Sequence, residues 1–269
     1  MEFNLPQRNE VSNKSTYGRV LNIAGSDYMP GAAYLSSVSA LKIGCGYCFL
    51  CSDERVIDAV GAKTSNVVFV PLKDLKENIE KADVIEIGCG LSQTSKAIKI
   101  FNEVIKNTDI NKPLIIDADG LNILSKNPKI FLNKGFKNVI FTPHPKEAAR
   151  LLYVDSILED VEQAAKMITQ KYNCVTVLKT HNTYIYSPDG RNYTNTTGNN
   201  ALAKAGSGDV LTGMIAGLAA QGKDIFEAAC LGVYLHGLCA DIKAQELTQY
   251  SVMAQDLIDA IAQAIKTVL

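Results

Sequence analysis

The sequence has no tryptophan, few aromatic residues and only three histidines, and neither sign of charge is in excess. Lysine and arginine number 27 and aspartate and glutamate number 28, so the formal net charge is −1. Proteins that bind the phosphate backbone of nucleic acids usually carry a basic excess, so no nucleic-acid partner is expected. The hydrophobic fraction of 47% is too high for a disordered chain. The 269 residues are therefore expected to form one globular domain, residues 1–269, with one large core.

Long apolar runs are also missing. The longest, over residues 210–220, contains two glycines and is shorter than the roughly 20 residues that cross a bilayer. The first ten residues carry charges and Pro6 where a signal peptide would have an apolar core. These features predict a soluble, cytoplasmic protein that does not use a membrane.

Seven cysteines are present, an odd number that does not suggest a disulfide framework. Cys45, Cys48 and Cys51 have a spacing that ligands of iron–sulfur clusters can show. However, a strand is predicted over 46–51, and an extended chain would place Cys45 and Cys51 on one face and Cys48 on the other. We therefore favour buried apolar thiols over metal ligands.

Strand-like and helix-like segments alternate along the chain. Strands are predicted over 19–24, 46–51, 82–87, 113–117, 138–141 and 175–179, with a hairpin following around 184–190. Helices are predicted over 31–43, 94–106, 209–221, 225–240 and 253–268. This alternation predicts an α/β domain in which a mostly parallel sheet is covered on both faces.

Ligands of such sheets bind beyond the carboxyl ends of the strands. The sequence places small or polar residues at these ends. They are residues 25–26, 88–90, 117–119, 142–145, 179–183 and the glycine loop before Asp209. A ligand site is therefore predicted where these loops meet.

The glycine loop, Gly206, Ser207 and Gly208, precedes a long predicted helix. Free backbone N–H groups at a helix start attract phosphate, and glycine lets a ligand approach closely. Asp209 follows at once, and its carboxylate would repel phosphate. The presence of Asp209 is explained if it acts as a base that deprotonates an attacking hydroxyl. The alternative is that Asp209 is a first-turn carboxylate that only complements the helix dipole. The Walker A motif is absent, and the loop lacks the third glycine of the dinucleotide fingerprint.

Residues 205–213, Ala-Gly-Ser-Gly-Asp-Val-Leu-Thr-Gly, resemble the signature of the ribokinase superfamily. Further segments resemble, in the same order, the ADP/ATP-dependent NAD(P)H-hydrate dehydratases. These segments are residues 14–18, 24–33, 87–91, 117–122, 141–147, 179–183 and 187–190. The resemblance covers about residues 14–240 and implies a ribokinase-like three-layer α/β/α sandwich.

The resemblance also implies an activity. Family members restore NADH or NADPH from the S epimer of their hydrated forms, NADHX and NADPHX. They phosphorylate the ring hydroxyl with ADP or ATP, together with Mg²⁺, and then eliminate phosphate, which is a better leaving group than hydroxide. A small-molecule kinase of the same fold, such as a vitamin-precursor kinase, remains an alternative, as does a nucleotide-binding protein without catalysis.

The matching motifs imply roles for individual residues, and each role has a structural alternative. Asp209 would be the catalytic base and would also contact the hydrated ring. The other implied substrate contacts are Ala33, Gly90, Asn122 and His144. The implied contacts to ADP or ATP are Lys179, Thr180, His181, Asn182, Thr183 and Gly208. The amides of Gly206, Ser207 and Gly208 would form the anion hole, and Glu147 would reach Mg²⁺ through water.

The alternatives are ordinary structural roles. His144 and Glu147 could cap a helix, and Lys179 could simply be solvated at a strand end. Asp117 and Asp119 could hydrogen-bond their own loop. His181 is interpreted as loop surface and His236 as helix packing.

The chain departs from the family pattern at several positions. Cys89 stands between two glycines where proline is common, Lys146 intervenes before Glu147, and Thr180 follows Lys179 where glycine is common. No room precedes residue 14 for the epimerase domain that some relatives carry, so we expect a separate epimerase to supply the S form. The tetramers common among relatives imply a homo-oligomer.

Overall fold

A computed structural model describes residues 3–269, so Met1 and Glu2 of the charged N-terminal segment lie outside the described residues. Nine strands in this range form one sheet in the order β3-β2-β1-β4-β5-β6-β7-β8-β9. The strands are β1 (Arg19–Ile23), β2 (Tyr47–Ser52), β3 (Val68–Pro71), β4 (Val84–Ile87), β5 (Leu114–Ile116), β6 (Val139–Phe141), β7 (Val175–Leu178), β8 (Thr183–Tyr186) and β9 (Asn192–Asn195).

The helices follow the predicted alternation. They are α1 (Pro30–Lys42), α2 (Glu54–Gly61), α3 (Leu75–Lys81), α4 (Ser95–Asn107), α5 (Ala118–Lys126), α6 (Lys129–Leu132), α7 (Pro145–Leu152), α8 (Val161–Tyr172), α9 (Ser207–Ala220), α10 (Ile225–Glu246) and α11 (Ala254–Ile265). Short 3-10 turns occur at Lys14–Tyr17, Leu72–Asp74 and Asn200–Leu202. The predicted segments are all present, and α10 continues beyond its predicted end at residue 240.

The sheet is parallel from β3 through β7, and the hairpin of β8 and β9 adds two antiparallel strands at one edge. Alternate strand residues point to opposite faces, as Val20 and Leu21 of β1 do. One face packs on α1, α9, α10 and α11, and the other packs on α3 to α8. The prediction of a mostly parallel sheet between two helical layers is confirmed.

Small residues let α1 and α9 pack unusually close to each other. A Cβ atom at Gly213 of α9 would lie 2.0 Å from the carbonyl oxygen of Ser36 on α1, so only glycine fits there. Helix α9 also packs against β1 and β4. This packing fixes the first turn of α9 beside the carboxyl ends of the central strands, where the site was predicted.

Helix α10 is long and apolar enough to cross a membrane by length and composition alone. This finding differs from the expectation that no such segment exists, because the helix extends past the predicted end. In the fold, 67% of its most apolar stretch is buried, and the helix packs against α9, α11 and the sheet. Its apolar character is accounted for by these contacts within the domain.

The cysteines occupy the core. All seven thiols are free and buried, which confirms the interpretation as buried apolar thiols, and burial raises the pKa of Cys45 and of Cys51 to about 12. The predicted sharing of a face by Cys45 and Cys51 is wrong. Strand β2 begins only at Tyr47, so Cys45 lies in the preceding turn and packs with Cys48, while Cys51 packs on the opposite side of the sheet.

Candidate active site

Asp117 is the centre of the polar cluster at the carboxyl end of the sheet. It follows β5 directly and is only 1% exposed. Its Oδ1 atom accepts a hydrogen bond from Nζ of Lys179 at 2.9 Å, and its Oδ2 atom accepts one from Oγ1 of Thr212 at 2.7 Å. The cluster therefore joins three elements, because Lys179 follows β7 and Thr212 belongs to α9.

Asp117 and Lys179 form an ion pair. Burial alone would raise the pKa of Asp117, but the charge of Lys179 and the Thr212 hydroxyl hold it below its usual range. Burial alone would lower the pKa of Lys179, but Asp117 raises it above the usual range. Both groups are therefore charged at neutral pH. Lys179 is thus paired and not simply solvated, with 22% of its side chain exposed to a ligand.

Asp209 lies in the first turn of α9, next to this ion pair. Burial, and then the negative charge of Asp117, raises the pKa of Asp209 to about 6. A carboxylate with this pKa is ionised at neutral pH and is a better proton acceptor than an ordinary aspartate. The position and pKa of Asp209 are those that a general base requires.

The glycine loop leads into the same turn. Gly206 caps α9 with a φ of 93°, a conformation that favours glycine. Val210 is the first residue of α9 whose N–H group donates an i to i−4 hydrogen bond, to Gly206 O at 3.1 Å. The amides before it are available to an anion, although that of Ser207 makes a long bond of 3.3 Å to Lys204 O. Among the described residues, the buried Ser207 hydroxyl has no hydrogen-bond partner.

Gly208 faces the ion pair. A Cβ atom at this position would lie 3.4 Å from Nζ of Lys179 and 4.0 Å from Oδ2 of Asp117. An anion held by the first-turn amides of α9 would therefore also meet the ammonium group of Lys179. Two positive features converge on one small volume, which suits the phosphates of a nucleotide.

His236 supports the loop from α10. Its Nε2 atom lies 2.9 Å from the carbonyl oxygen of Ser207, so the ring donates this hydrogen bond as the Nε2–H tautomer. Burial lowers the pKa of His236 to about 4, and the ring is neutral. The interpretation of His236 as helix packing is confirmed, and the structure adds a contact to the site that its sequence spacing did not indicate.

His144 and Glu147 form a capping box at the start of α7. Nδ1 of His144 accepts from the N–H groups of Lys146 and Glu147, and Oε2 of Glu147 accepts from the His144 N–H at 2.8 Å. The capping alternative is therefore present in the fold. The imidazole stays 46% exposed, so capping and ligand contact are compatible.

Magnesium fits this part of the site only in combination with a nucleotide. Burial raises the pKa of Glu147 to about 7, and residues 3–269 contain no group of three or more His, Cys, Asp or Glu side chains placed to hold a metal. Mg²⁺ is usually held by one or two carboxylates together with substrate phosphates and water. Both oxygens of Asp117 are bonded to Lys179 and Thr212, so Glu147 at the start of α7 is the carboxylate that would reach Mg²⁺ through water.

The residues predicted to contact the substrate differ in how free they are to do so. Gly90 has a φ of 63°, and a Cβ atom there would lie 2.7 Å from Cβ of Ala32, so this loop touches the start of α1. Ala33 has no exposed side-chain surface. Asn122 already accepts a hydrogen bond from Arg150 at 2.7 Å. Their contacts to a substrate stay predictions.

The predicted nucleotide-contact residues lie together in the turn between β7 and β8. Lys179, Thr180, Asn182 and Thr183 are half-buried there, and His181 is exposed, as its interpretation as loop surface requires. The hydroxyl of Thr180 donates to the carbonyl oxygen of Asn182, which closes the turn. Their contacts to a nucleotide stay predictions.

Asp119 ties the neighbouring loops together. Its Oδ2 atom accepts from the Ser92 N–H at 2.8 Å, and its Oδ1 atom accepts from the Gln93 side chain at 3.2 Å. Asp119 therefore orders the loop after β4 and does not hydrogen-bond only its own turn. The loop that carries Gly90 is held against the start of α5.

A cavity of about 740 Å³ lies beyond the carboxyl ends of β1, β2 and β3 and beside the loop that follows β4, and its lining includes none of Asp117, Lys179 and Asp209. Its wall combines backbone of the Gly25–Ser26 loop with polar and charged side chains. These include Asp53, Arg55, Lys73, Ser92 and Lys96. The cavity is large enough for part of a dinucleotide.

Comparisons with known proteins agree with this geometry. A model of the family described as NAD(P)H-hydrate dehydratase matches residues 20–263. The chain is 38% identical over 239 residues to the ADP-dependent (S)-NAD(P)H-hydrate dehydratase of Neisseria meningitidis, covering 87% of this chain and 80% of that protein. It is 36% identical to a bifunctional NAD(P)H-hydrate repair enzyme of Moorella thermoacetica, covering 97% of this chain but only 52% of that protein. The chain thus spans about half the length of this relative.

A solved structure shows the same fold. The ADP/ATP-dependent NAD(P)H-hydrate dehydratase of Bacillus subtilis, co-crystallised with ATP and Mg²⁺, superposes with a TM-score of 0.85 at 32% identity, covering 98% of this chain and 95% of that one. The predicted ribokinase-like architecture is confirmed. Together with the family match over residues 20–263, these findings show that the chain belongs to the NAD(P)H-hydrate dehydratase family.

Proposed function

We propose that the protein restores NADH or NADPH from the S epimer of NADHX or NADPHX, with ADP or ATP as the phosphate donor. The observation that carries the proposal is the placement of Asp209. Its carboxylate has a pKa raised to about 6 and belongs to the first turn of α9, near the Asp117–Lys179 ion pair. A protein that only binds nucleotides gains nothing from a carboxylate at this place.

In the proposed reaction, Asp209 takes the proton of the ring hydroxyl, and the resulting oxygen attacks the terminal phosphorus of the nucleotide. Backbone N–H groups of Gly206, Ser207 and Gly208 and the Lys179 ammonium stabilise the charge on the transferred group. The ring-nitrogen lone pair then expels phosphate, and a neighbouring ring carbon loses a proton. Hydrate and ADP thereby become reduced cofactor, AMP and phosphate, and with ATP the nucleotide product is ADP.

Magnesium, when bound with the nucleotide through Glu147 and water, would neutralise phosphate charge. Lys179 to Thr183 would hold the adenylate part of the donor. Gly90, His144, Asn122 and the backbone at Ala33 would position the hydrated ring, with Ala33 limited to backbone contacts because its side chain is buried. We propose that the cavity beyond β1, β2 and β3 receives the rest of the dinucleotide.

The vitamin-precursor kinase alternative shares the glycine loop and the base, so the product separates the two functions. Purified protein is incubated with Mg²⁺, with ADP or ATP, and with hydrated NADH in its S or R form. The proposal expects the absorbance of reduced nicotinamide to return from the S form only, in a nucleotide-dependent way. Absence of restoration with both nucleotides would contradict it. Restoration of the R form only after an epimerase is added would support the expected coupling to that enzyme.

A further inference from the structure

A buried polar layer lies between the sheet and α1, beneath the proposed reaction centre. Asn22 of β1 and Glu86 of β4 are register partners on adjacent parallel strands, and neither side chain is exposed. The amide group of Asn22 donates to Oγ of Ser36 at 2.7 Å and to Oγ of Ser37 at 2.9 Å. A carboxyl group in the centre of a sheet needs a comparable set of partners.

Two acceptor atoms of this layer lack partners among the described residues. They are Oδ1 of Asn22 and Oε2 of Glu86. The two side chains extend from paired positions of neighbouring strands toward the same face. If Glu86 were ionised, both atoms would remain unsatisfied acceptors in a dry environment, which is costly. A proton on Oε2 of Glu86 would instead be donated to Oδ1 of Asn22 and would satisfy both atoms at once.

The charges of Asp117 and Asp209 oppose ionisation of Glu86, whereas hydrogen bonds from the Cys89 thiol and the Ser36 hydroxyl favour the ionised form by less. Asn22 and the α1 serines are neutral, and the surrounding titratable groups come from the sheet, the α9 start and the adjacent turns. These groups are Cys45, Cys48, Cys89, Asp117 and Asp209, all acids or thiols. Within residues 3–269, no hydrogen bond or ion pair links Glu86 to a cation, and the nearby cation Lys179 bonds Asp117. Burial raises the pKa of Glu86 well above its usual range, in agreement with the geometry.

Cys89 connects this carboxyl to the site. Its Sγ atom lies 3.8 Å from Oε1 of Glu86 and 3.9 Å from Oδ2 of Asp117. A neutral Glu86 leaves the thiol free to donate to the charged Asp117, the stronger acceptor. An ionised Glu86 would compete for the thiol and would add a negative charge beside Asp209, which would raise the pKa of that base further.

We propose that Glu86 is a permanently neutral carboxylic acid whose O–H donates to Asn22 Oδ1, and that it positions Cys89 beneath the proposed base without adding charge. The protonation state of Glu86 stands on the structure alone, whereas its effect on Asp209 rests on the proposed function. Glu86 is a positioning residue in this account, because it acts on the site through Cys89.

Infrared difference spectra of wild type against Glu86→Gln at pH 8 test the protonation state directly. We expect the variant to lose a protonated-carboxyl C=O band, and we expect Asn22→Leu to shift that band because its hydrogen-bond acceptor is gone. Glu80→Gln, a matched change on the exposed face of α3, should remove only a carboxylate band. Loss of a carboxylate band in Glu86→Gln would overturn the proposal.

Thermal unfolding provides a second readout that does not need turnover. If Glu86 keeps its proton in the folded protein at pH values where it would ionise in the unfolded chain, unfolding becomes more favourable as pH rises. Stability should therefore fall from about pH 5 to pH 8. Glu86→Gln cannot ionise in either state, so its Tm should fall less over this interval than that of wild type. Asp209 and Glu147 contribute equally to both proteins and cancel. Equal pH dependence in the two proteins would count against a neutral Glu86.

Activity tests the positioning role separately. Glu86→Leu should lower kcat/KM by about tenfold or more, and Glu86→Gln should recover most of it with the acidic limb of its pH profile unmoved. A limb that moves to lower pH in Glu86→Gln would show that wild-type Glu86 carries charge. If wild type has no dehydratase activity while the protonated-carboxyl band is present, the proposed function fails and the protonation state stands.

Discussion

The ammonium group of Lys179 lies 2.9 Å from Oδ1 of Asp117, although 62 positions separate the two residues in the chain. The pair links the ends of β5 and β7 and sits beside the first turn of α9. It fixes a positive charge at the place where a nucleotide phosphate would bind, and it keeps Asp117 ionised at a nearly dry position.

Replacing Lys179 by methionine should destabilise the protein and abolish nucleotide binding. The variant leaves Asp117 buried without its cation, and breaking a buried pair in this way costs about 3–5 kcal/mol, less here because Lys179 is partly exposed. Denaturant unfolding and calorimetric titration with ADP measure the two effects. Lys166→Met, which breaks an exposed pair with Glu162, should change stability little and leave binding intact. Similar losses in both variants would contradict the assignment.

Asp209→Asn should lower kcat by about 10²–10⁴-fold while ADP still binds, because the amide cannot accept the hydroxyl proton. In wild type, kcat/KM should decline as pH drops below about 6, where Asp209 becomes protonated. The residual activity of the variant should lack this acidic limb. An unchanged pH profile in the variant would assign the limb to another group.

The same substitution should make the ligand-free protein more stable at pH 8. The pKa of Asp209 is raised in the fold, so its contribution to stability is present at low pH and is lost as pH rises through about 6. Removing the charge should therefore recover about 1–3 kcal/mol at pH 8 and almost nothing at pH 4. Asp58→Asn, the same change at an exposed position of α2, is the matched control. Unfolding curves at both pH values measure the difference.

Thr212 is a residue that sequence reasoning did not single out, and its hydroxyl bonds Asp117 at 2.7 Å. Thr212→Val should remove this charge-assisted bond, cost about 1.5–3 kcal/mol of stability and reduce kcat/KM. Thr212→Ser keeps the hydroxyl and should retain most of both. Equal behaviour of the two variants would show that packing, and not the hydrogen bond, determines the effect.

Activity should require a divalent cation and should disappear with a chelator. Glu147→Gln should raise the Mg²⁺ concentration needed for half-maximal rate several-fold, because a carboxylate at the edge of the nucleotide site is lost. Glu80→Gln should leave this concentration unchanged, since its side chain is exposed on α3. A Mg²⁺ requirement equal to that of wild type in Glu147→Gln would exclude Glu147 from the cation site.

Strand ends were predicted well from the sequence, because apolar runs stop where glycine or aspartate begins. The ends of these runs placed Asp117 and Lys179 at the same edge of the sheet, but their ion pair was not predicted. Helix α9 was also predicted, because its glycine loop and Asp209 mark its start. Strand β3 and helices α2, α3, α5, α6, α7 and α8 were not among the predicted segments. In α2, α3 and α8, surface-facing polar residues weaken a purely apolar pattern.

Other parts of the site depend on tertiary contacts that no local pattern displays. Thr212 is the exception, because it lies three residues after Asp209 and helical spacing could have placed both on one face. The pairing of Asn22 with Glu86 depends on the register of β1 against β4 across a long crossover, and the contact of His236 with the glycine loop depends on how α10 packs. These contacts required the folded structure.

The most direct test of the central claim is phosphorus NMR of one reaction mixture that holds the protein, Mg²⁺, ADP and the S form of hydrated NADH. If Asp209 starts phosphorylation followed by elimination, then AMP and inorganic phosphate should form in equal amounts, each matching the reduced nicotinamide recovered by absorbance. Asp209→Asn should form all three at least about 10²-fold more slowly than wild type. A phosphate monoester that accumulates without recovery of reduced nicotinamide would contradict the account and would identify a kinase.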